Sequence, residues 1–354
     1  MSSQQFYDAN ALKDYARKLL KALDVQTDIA EVVADVLVEG DLLGHSTHGL
    51  AQLPSYLDNL AKGQMKPSGT YSVVSDFPAA TTWDGQWLPG PWLTRTACIE
   101  AKTRARKFGT GTVIIRRSHH IACLAAYLEP LTAEGFVCII QSSDPAVKAV
   151  APHGGTRPFL TPNPVAVGIP TKGDPILIDV SMSIATVGMA RRLIASGERA
   201  PFPWLLDGDG HPTDDPNVID ADPKGSLMLL GGIEAGHKGF GLALMVEALT
   251  GGLGGHGRSD KPTNWGASVF VQVLDPDAFG GKEALLREMS FIADECVSGP
   301  SRDINNPVRM PGSAGLRRKR EALERGVPLH SIIMESLTPW GERFAISAPQ
   351  PSGA

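Results

Sequence analysis

The chain of 354 residues has only four cysteines, at positions 98, 123, 138 and 296, and none of them forms a CxxC pair. Widely spaced thiols are typical of reduced cysteines in a cytosolic protein and do not indicate disulfides or a zinc site. The sequence also lacks an apolar run of the ~18 residues that a membrane-spanning helix needs, and its charged N-terminal stretch does not resemble a signal peptide. We therefore expect a cytoplasmic protein with no membrane partner.

Positive charge is not in excess either. The formal net charge is −5, and the one basic cluster is Arg317–Arg320, which we interpret as a helix cap. A nucleic-acid-binding domain usually has a basic face, so no nucleic-acid partner is expected. Hydrophobic residues make up 42% of the chain, which is enough for a substantial buried core in one large domain or two to three smaller lobes.

Several widespread catalytic motifs are missing: the chain has no P-loop, no GxSxG and no HExxH. One GxGxxG occurs over 252–257, but it follows a helical stretch instead of joining a strand to a helix, as a Rossmann loop must. Its glycines are more typical of a helix end. The sequence therefore does not support a Rossmann domain.

Hydrophobic periodicity predicts helices in the first sixty residues and again over 314–338. Between these segments, short β-type runs alternate with helical stretches, which predicts an α/β core. The predicted strands are 71–74, 111–116, 136–141, 175–180 and 268–274, and the predicted helices between them are 92–107, 121–134, 239–253 and 281–297. We expect a helical lobe formed by 1–65 and 312–345, an α/β core over 66–311 and a disordered tail over 346–354.

Two segments suit an anionic ligand. Gly231–Leu249 has a glycine-rich start followed by an apolar helix, and the first N–H groups of a helix favour anions. Lys238 is expected at that end, where the helix dipole disfavours a cation. Either a bound phosphate or a solvated lysine is consistent with the pattern.

In the second segment, Asp179, Ser181 and Ser183 share one face if the strand extends that far. This arrangement indicates a ligand-facing edge, and its alternative is an Asp/Ser helix cap.

Four of the nine histidines form two pairs, His45 with His48 and His119 with His120. Zinc needs three or four suitably spaced ligands. The adjacent pair follows a predicted strand, where neighbouring side chains point to opposite faces, so at most one of the two can join a site. We expect no metal, and two glycine-flanked histidine segments ahead of α/β elements favour acid–base chemistry instead.

A set of segments in the same order resembles the malate/L-lactate dehydrogenase-like family of NAD(P)-dependent oxidoreductases. The segments are GHSTHGLAQLPSYL, RSHHIA, PHGGTRPFLTPNP, DVSMS, HKGFGL, PGSA and RRKREALERGVPL. The resemblance runs from about Ala34 to Leu329. It implies a non-Rossmann fold with a mixed or largely antiparallel sheet flanked by helices, NAD or NADP as cofactor, and a homodimer.

By this resemblance, His48 is the acid or base at the reacting carbonyl or imine, and His120 is the second active-site histidine. Tyr56 is expected to line the substrate site with Thr47, which replaces the family's serine. The residues expected to hold the cofactor are Ser143, Ile178, Asp179, Val180, Ser181, His237, Lys238, Gly312, Ser313 and Ala314.

One departure from the family concerns the substrate. Many relatives have an arginine four residues after the catalytic histidine, where this chain has Gln52. An arginine there can bind a substrate carboxylate through two hydrogen bonds. If the substrate is a 2-oxo acid, another cation must compensate for its loss. Lys148, in a loop about three residues longer than usual, is the candidate, and the alternative is that Lys148 is solvated.

The implied reaction is hydride transfer between the nicotinamide and a small 2-oxo or 2-hydroxy acid. Histidine suits the proton transfer because its ordinary pKa is near ~6.5. The alternatives are reduction of a cyclic imine, such as Δ1-piperideine-2-carboxylate or Δ1-pyrroline-2-carboxylate, a ureidoglycolate dehydrogenase-like reaction, and a binding protein that has lost catalysis. The presence of His48, His120 and Lys238 argues against the last.

Overall fold

The computed structural model describes residues 4–352. Its α-helices are α1 (Ala9–Lys21), α2 (Thr27–Leu42), α3 (Leu53–Ala61), α4 (Gly90–Phe108), α5 (Glu129–Ala133), α6 (Val187–Ser196), α7 (Gly232–Glu247), α8 (Lys282–Ser298), α9 (Ser313–Arg325) and α10 (Ser331–Phe344). Its strands are β1 (Gln4–Tyr7), β2 (Ser72–Phe77), β3 (Ala80–Asp84), β4 (Thr110–Ser118), β5 (Val137–Ser143), β6 (Val165–Ile169), β7 (Ile176–Val180), β8 (Leu205–Leu206), β9 (Pro212–Thr213), β10 (Ser226–Leu227), β11 (Ala267–Leu274) and β12 (Val327–His330).

A seven-stranded sheet forms the centre of the fold, in the order β2-β3-β4-β11-β5-β6-β7. Strands β3 and β4 are parallel, and all other neighbours in this sheet are antiparallel. The predicted mixed, largely antiparallel sheet flanked by helices is therefore confirmed. Strand β7 lies at one edge, so the backbone groups on its outer side are not paired within the sheet.

The N-terminal helices and the central sheet share one hydrophobic core. Leu19 of α1 and Val36 of α2 belong to the same buried cluster as Val113 of β4 and Val271 of β11. The apolar stripe of α1 is thus covered within the chain, and β1 is held by antiparallel pairing with β12. The division into a helical lobe and an α/β core stays a prediction.

A smaller core positions α6. It surrounds the three-stranded sheet β10-β8-β9 and includes Ala190 of α6, Trp204 and Leu227. On its other side, α6 lies against the loop after α2. A Cβ built on Gly188 would be 3.3 Å from the Cβ of Thr47 in that loop.

Some predicted helices differ from the structure. The predicted helix over 121–134 is a 3-10 turn, Leu124–Tyr127, followed by the short α5. Pro130 explains the interruption, because proline has no N–H to donate to the preceding turn. The predicted helix over 239–253 begins earlier, at Gly232, and ends in a π-helical segment, Ala248–Gly252. The GxGxxG therefore lies at the end of a helix, as predicted.

The C-terminal part also differs in detail. Strand β12 divides the predicted helical segment into α9 and α10. The basic cluster Arg317–Arg320 lies inside α9, so its interpretation as a helix cap is wrong. Residues 346–352 have no helix or strand, yet the N–H of Ser352 donates to the carbonyl oxygen of Phe6 at 2.7 Å. The rest of the predicted tail lies outside the described residues. Within 4–352, no helix has the length and apolar character of a membrane span.

Candidate active site

A cavity of about 810 Å³ opens beside the end of β7. Its walls come from the loop after α2, the loop after β4, the ends of β5 and β7, and α6. The predicted site residues that line this cavity are Thr47, His48, Gln52, His120, Asp179, Val180 and Ser181. The structure thus brings the two predicted catalytic histidines together with part of the predicted cofactor strand.

A buried carboxylate holds the loop that carries His48. Asp41 at the end of α2 accepts a hydrogen bond from the N–H of Leu50 at 2.7 Å. Any Cβ on Gly49 would overlap this carboxylate, so only glycine fits directly after His48. Burial raises the pKa of Asp41 to about 7, although the bond from Leu50 opposes the shift. Sequence analysis did not identify Asp41, because one acid in an apolar helix forms no motif.

His48 is held as a neutral ring. Its Nδ1 lies 2.9 Å from Oγ1 of Thr47. Burial, and to a smaller extent the neighbouring His45, lowers the pKa of His48 to about 4. A neutral imidazole has one N–H and one acceptor nitrogen. In the tautomer whose Nδ1–H donates to Oγ1 of Thr47, Nε2 carries the lone pair and can accept a proton.

His120 lies next to His48, with 5.9 Å between the ring centroids. Oη of Tyr56 lies 2.9 Å from Nδ1 of His120 and 3.1 Å from its backbone oxygen. The ring of Trp265 stacks on His120 at 4.7 Å. Burial lowers the pKa of His120 well below its ordinary value, and the nearby histidines add to the shift. Tyr56 is fully buried behind His120 and does not line the cavity, so it contacts the second histidine instead of the space for substrate.

His119 points away from the cavity. It is fully buried, and neither ring nitrogen has a hydrogen-bond partner within the described residues. Its ring meets Trp265 edge-on at 5.0 Å, and burial lowers its pKa to about 3. Only one member of the adjacent pair therefore reaches the cavity, as the sequence predicted.

A second acid contributes to the cavity wall. Asp144, directly after β5, accepts hydrogen bonds from the N–H groups of Ala146 at 2.8 Å and Gly266 at 3.2 Å. Burial raises the pKa of Asp144 to about 6, and these two bonds oppose the shift. Sequence analysis did not single out this residue.

A smaller cavity of about 270 Å³ adjoins the first, and His45, Asp179 and Val180 line both. Asp179 accepts from the N–H of Ala125 at 2.9 Å. Burial raises the pKa of this carboxyl, and His45 opposes the shift. Donor atoms of His45, Cys123 and Asp179 lie within 4.8 Å of one another. The expectation that the protein holds no metal stays a prediction.

The two cavities together match the chemistry of a dinucleotide cofactor, which has flat rings, hydroxyls and phosphates. Their shared wall includes Asp179 and Val180 at the end of the edge strand β7. The larger cavity also includes Ser181, whose hydroxyl donates to the backbone oxygen of Ser183 at 2.9 Å and can accept a hydrogen bond from a ribose hydroxyl or an amide. The smaller cavity is lined by Ile178, Gly312 and Arg318, and a guanidinium can bind a phosphate. Arg318 is not among the site residues predicted from the sequence, because its basic cluster has the composition of a helix cap.

Some predicted residues lie elsewhere. Ser143 is buried, with its Oγ 2.8 Å from Oγ1 of Thr250, whereas its neighbour Ser142 lines the larger cavity. Lys148 is exposed and outside the lining. Ser313 and Ala314 are outside the lining of both cavities, although Gly312 precedes them in the wall of the smaller one.

His237 and Lys238 are exposed on α7 and outside the lining of both cavities. Because α7 begins at Gly232, Lys238 lies in its second turn, and the interpretation of Lys238 as a cation at the helix N-terminus is wrong. Strand β7 ends at Val180, so Ser181 and Ser183 do not continue it. The cap of the following helix is Thr186 instead of an Asp or Ser.

Residues 7–338 match the Malate/L-lactate dehydrogenase family. The chain belongs to this family. It is 30% identical over 336 residues to hydroxycarboxylate dehydrogenase B of Escherichia coli O157:H7, covering 93% of this chain and 91% of that protein. It is also 30% identical over 347 residues to the Delta(1)-pyrroline-2-carboxylate/Delta(1)-piperideine-2-carboxylate reductase of Pseudomonas syringae pv. tomato, covering 92% and 93%.

Among solved structures, malate dehydrogenase from Pyrococcus horikoshii OT3 is 25% identical, with a TM-score of 0.88 and 98% of each chain covered. The sequence-based family prediction is therefore confirmed, and the chain is a member of a dehydrogenase and reductase family.

Proposed function

We propose that this family member transfers a hydride between NAD or NADP and a small 2-oxo or 2-hydroxy acid. The observation that carries the proposal is the shared cavity of His48 and His120 beside the edge strand β7. Relatives named as hydroxycarboxylate and malate dehydrogenases support an acid substrate.

The nicotinamide, when bound, supplies or accepts the hydride. His48 handles the proton: in its neutral form it accepts the proton of a substrate hydroxyl, and in the reverse direction it returns that proton to the carbonyl oxygen. Its low pKa keeps the ring ready to act as a base at neutral pH. Thr47 fixes the ring through Nδ1, and Asp41 holds the loop by its bond to Leu50.

His120 provides a second polar group next to His48. Tyr56 and Trp265 fix its ring by a hydrogen bond and by stacking. For the cofactor, we propose the segment from Ile178 to Ser181, with Gly312 and Arg318, as the main contacts. Roles in cofactor binding for Ser143, His237, Lys238, Ser313 and Ala314 stay predictions.

A substrate panel tests the proposal. The purified protein is mixed with NADH or NADPH and with 2-oxo acids or cyclic imines, and the loss of nicotinamide absorbance is followed. We expect turnover of at least one 2-oxo acid. Turnover of imines alone would favour the second candidate, a cyclic imine reductase, which the similarity to the Pseudomonas syringae enzyme supports. Cofactor binding without any turnover would favour the binding protein.

We also propose a cytoplasmic homodimer. The apolar faces of the N-terminal helices are covered within the chain, but α7 exposes apolar side chains. Ile233, Leu242, Leu244 and Met245 are each at least 39% exposed, and a helix that exposes several large apolar residues favours a protein contact. Sedimentation at micromolar concentration should give the dimer mass, and a monomer mass would contradict the proposal.

A further inference from the structure

Two arginines of α6, Arg191 and Arg192, line the cavity that contains His48. Arg191 is paired with Asp220, with Nη2 2.9 Å from Oδ1. Arg192 donates from Nη2 to Oγ of Ser46 at 3.0 Å. Within residues 4–352, no carboxylate lies at ion-pair distance from the Arg192 guanidinium. Its positive charge at the cavity is therefore not part of an ion pair within the described residues.

The position of Arg192 follows from the packing of α6. The helix begins at Val187, and helical side chains lean towards the N-terminus. That end of α6 touches the loop of His48, because Gly188 packs against Thr47. Arg192, in the second turn, thus reaches Ser46, two residues before the proposed catalytic histidine.

The other candidates for binding a substrate anion are less suitable. Nε2 of Gln52 donates to the backbone oxygen of Thr47 at 2.7 Å, so its amide supports the loop and brings no charge. Lys148 is exposed and outside the lining. The cavity wall also contains Asp144 and Asp179. An anionic substrate that leaves water for such a site needs a positive partner.

We propose that Arg192 binds the carboxylate of the substrate, in place of the arginine that many relatives have where this chain has Gln52. A guanidinium has five N–H donors, and Ser46 uses one of them, so a bidentate contact with a carboxylate remains possible. This inference rests on the proposed function, because it requires a 2-oxo or 2-hydroxy acid as substrate.

The central test compares Arg192→Gln with the wild type on the best 2-oxo acid of the panel. Loss of a charge-assisted hydrogen-bond pair should raise KM about 10- to 100-fold, with a smaller change in kcat and unchanged cofactor affinity. Arg199→Gln is the matched control: Arg199 is exposed, pairs with Asp214 and lies outside the lining. It should leave KM unchanged.

Two further variants separate substrate binding from support of the loop. Ser46→Ala removes the one hydrogen bond of Arg192 to the loop, so it should reproduce the defect only if Arg192 acts through that loop. Gln52→Arg in the Arg192→Gln background places a cation next to the loop of His48 again. This double variant should have a lower KM than Arg192→Gln alone. The amide of the same 2-oxo acid, which has no carboxylate charge, should be turned over equally by wild type and Arg192→Gln.

The outcomes distinguish this inference from the proposed function. If the wild type turns over no 2-oxo acid, both fail. If the wild type is active but Arg192→Gln has an unchanged KM, or if Ser46→Ala alone reproduces the full defect, only the inference is overturned.

Discussion

The hydroxyl oxygen of Thr47 lies 2.9 Å from Nδ1 of the adjacent His48. The pair occupies a loop, not a helix, and when Nδ1–H donates to Thr47, Nε2 is the unprotonated nitrogen that we propose exchanges a proton with substrate. It also explains how a partly buried histidine can keep one orientation with no carboxylate partner.

Replacing His48 by alanine should remove the proton transfer while the cofactor cavities remain. We expect His48→Ala to lower kcat by ~10²–10⁴-fold, the usual contribution of acid–base catalysis, with cofactor affinity unchanged in a fluorescence titration. His211→Ala is a suitable control, because His211 is 77% exposed. Near-wild-type turnover of His48→Ala would refute its catalytic role.

The pH dependence should show the low pKa of His48. In the oxidation direction the ring must be unprotonated, and activity is lost as pH falls through its pKa. Because burial lowers this pKa to about 4, the His48 ring should cause no decline in kcat/KM, which reports the free enzyme, from pH 8 down to about pH 5. Asp41 and Asp144, with pKa values of about 7 and about 6, also titrate in this range. A decline centred near ~6.5 that persists in both Asp41→Asn and Asp144→Asn would show that the ring is solvated.

Cofactor affinity should depend on Arg318. Its guanidinium lines the smaller cavity beside Gly312 and the β7 edge, where we place a cofactor phosphate. Arg318→Gln should weaken cofactor binding about 10-fold or more, as expected for a lost charged hydrogen bond. Arg317→Gln serves as control, because Arg317 is exposed and outside the lining. Equal affinities in the two variants would place the phosphate elsewhere.

Acid should destabilise the fold partly through His119. Its pKa is about 3 when folded and ~6.5 when unfolded, so the unfolded chain binds the proton first as pH falls. Stability is therefore lost below about pH 6.5, by up to about 1.4 kcal/mol per pH unit for this one group. His119→Phe keeps an aromatic ring and removes the titration. Denaturant unfolding at pH 7 and pH 5 should show a smaller loss for the variant, and equal losses would contradict this account.

Local patterns in the sequence were sufficient to predict the main strands, the family and the two histidines of the cavity. All five predicted strands exist. In four of them the apolar run reflects burial, whereas Val73 and Val74 of β2 are exposed, and that strand is held by pairing with β3. The ordered motifs identified the family, and they selected His48 and His120, which share one cavity. Helix limits were less accurate where Pro130 or the glycines of α7 changed the local backbone.

The tertiary structure decided which side chains line the cavity. Arg192 and Ser46 are 146 positions apart, and Tyr56 and His120 are 64 apart. No periodicity or spacing links residues at such distances, because their contact depends on how α6 and the loop after β4 pack against the loop of His48. The same packing leaves Lys148 in solvent and places Arg192 at the cavity. Motifs therefore identified the family, and long-range packing determined which cations line the cavity.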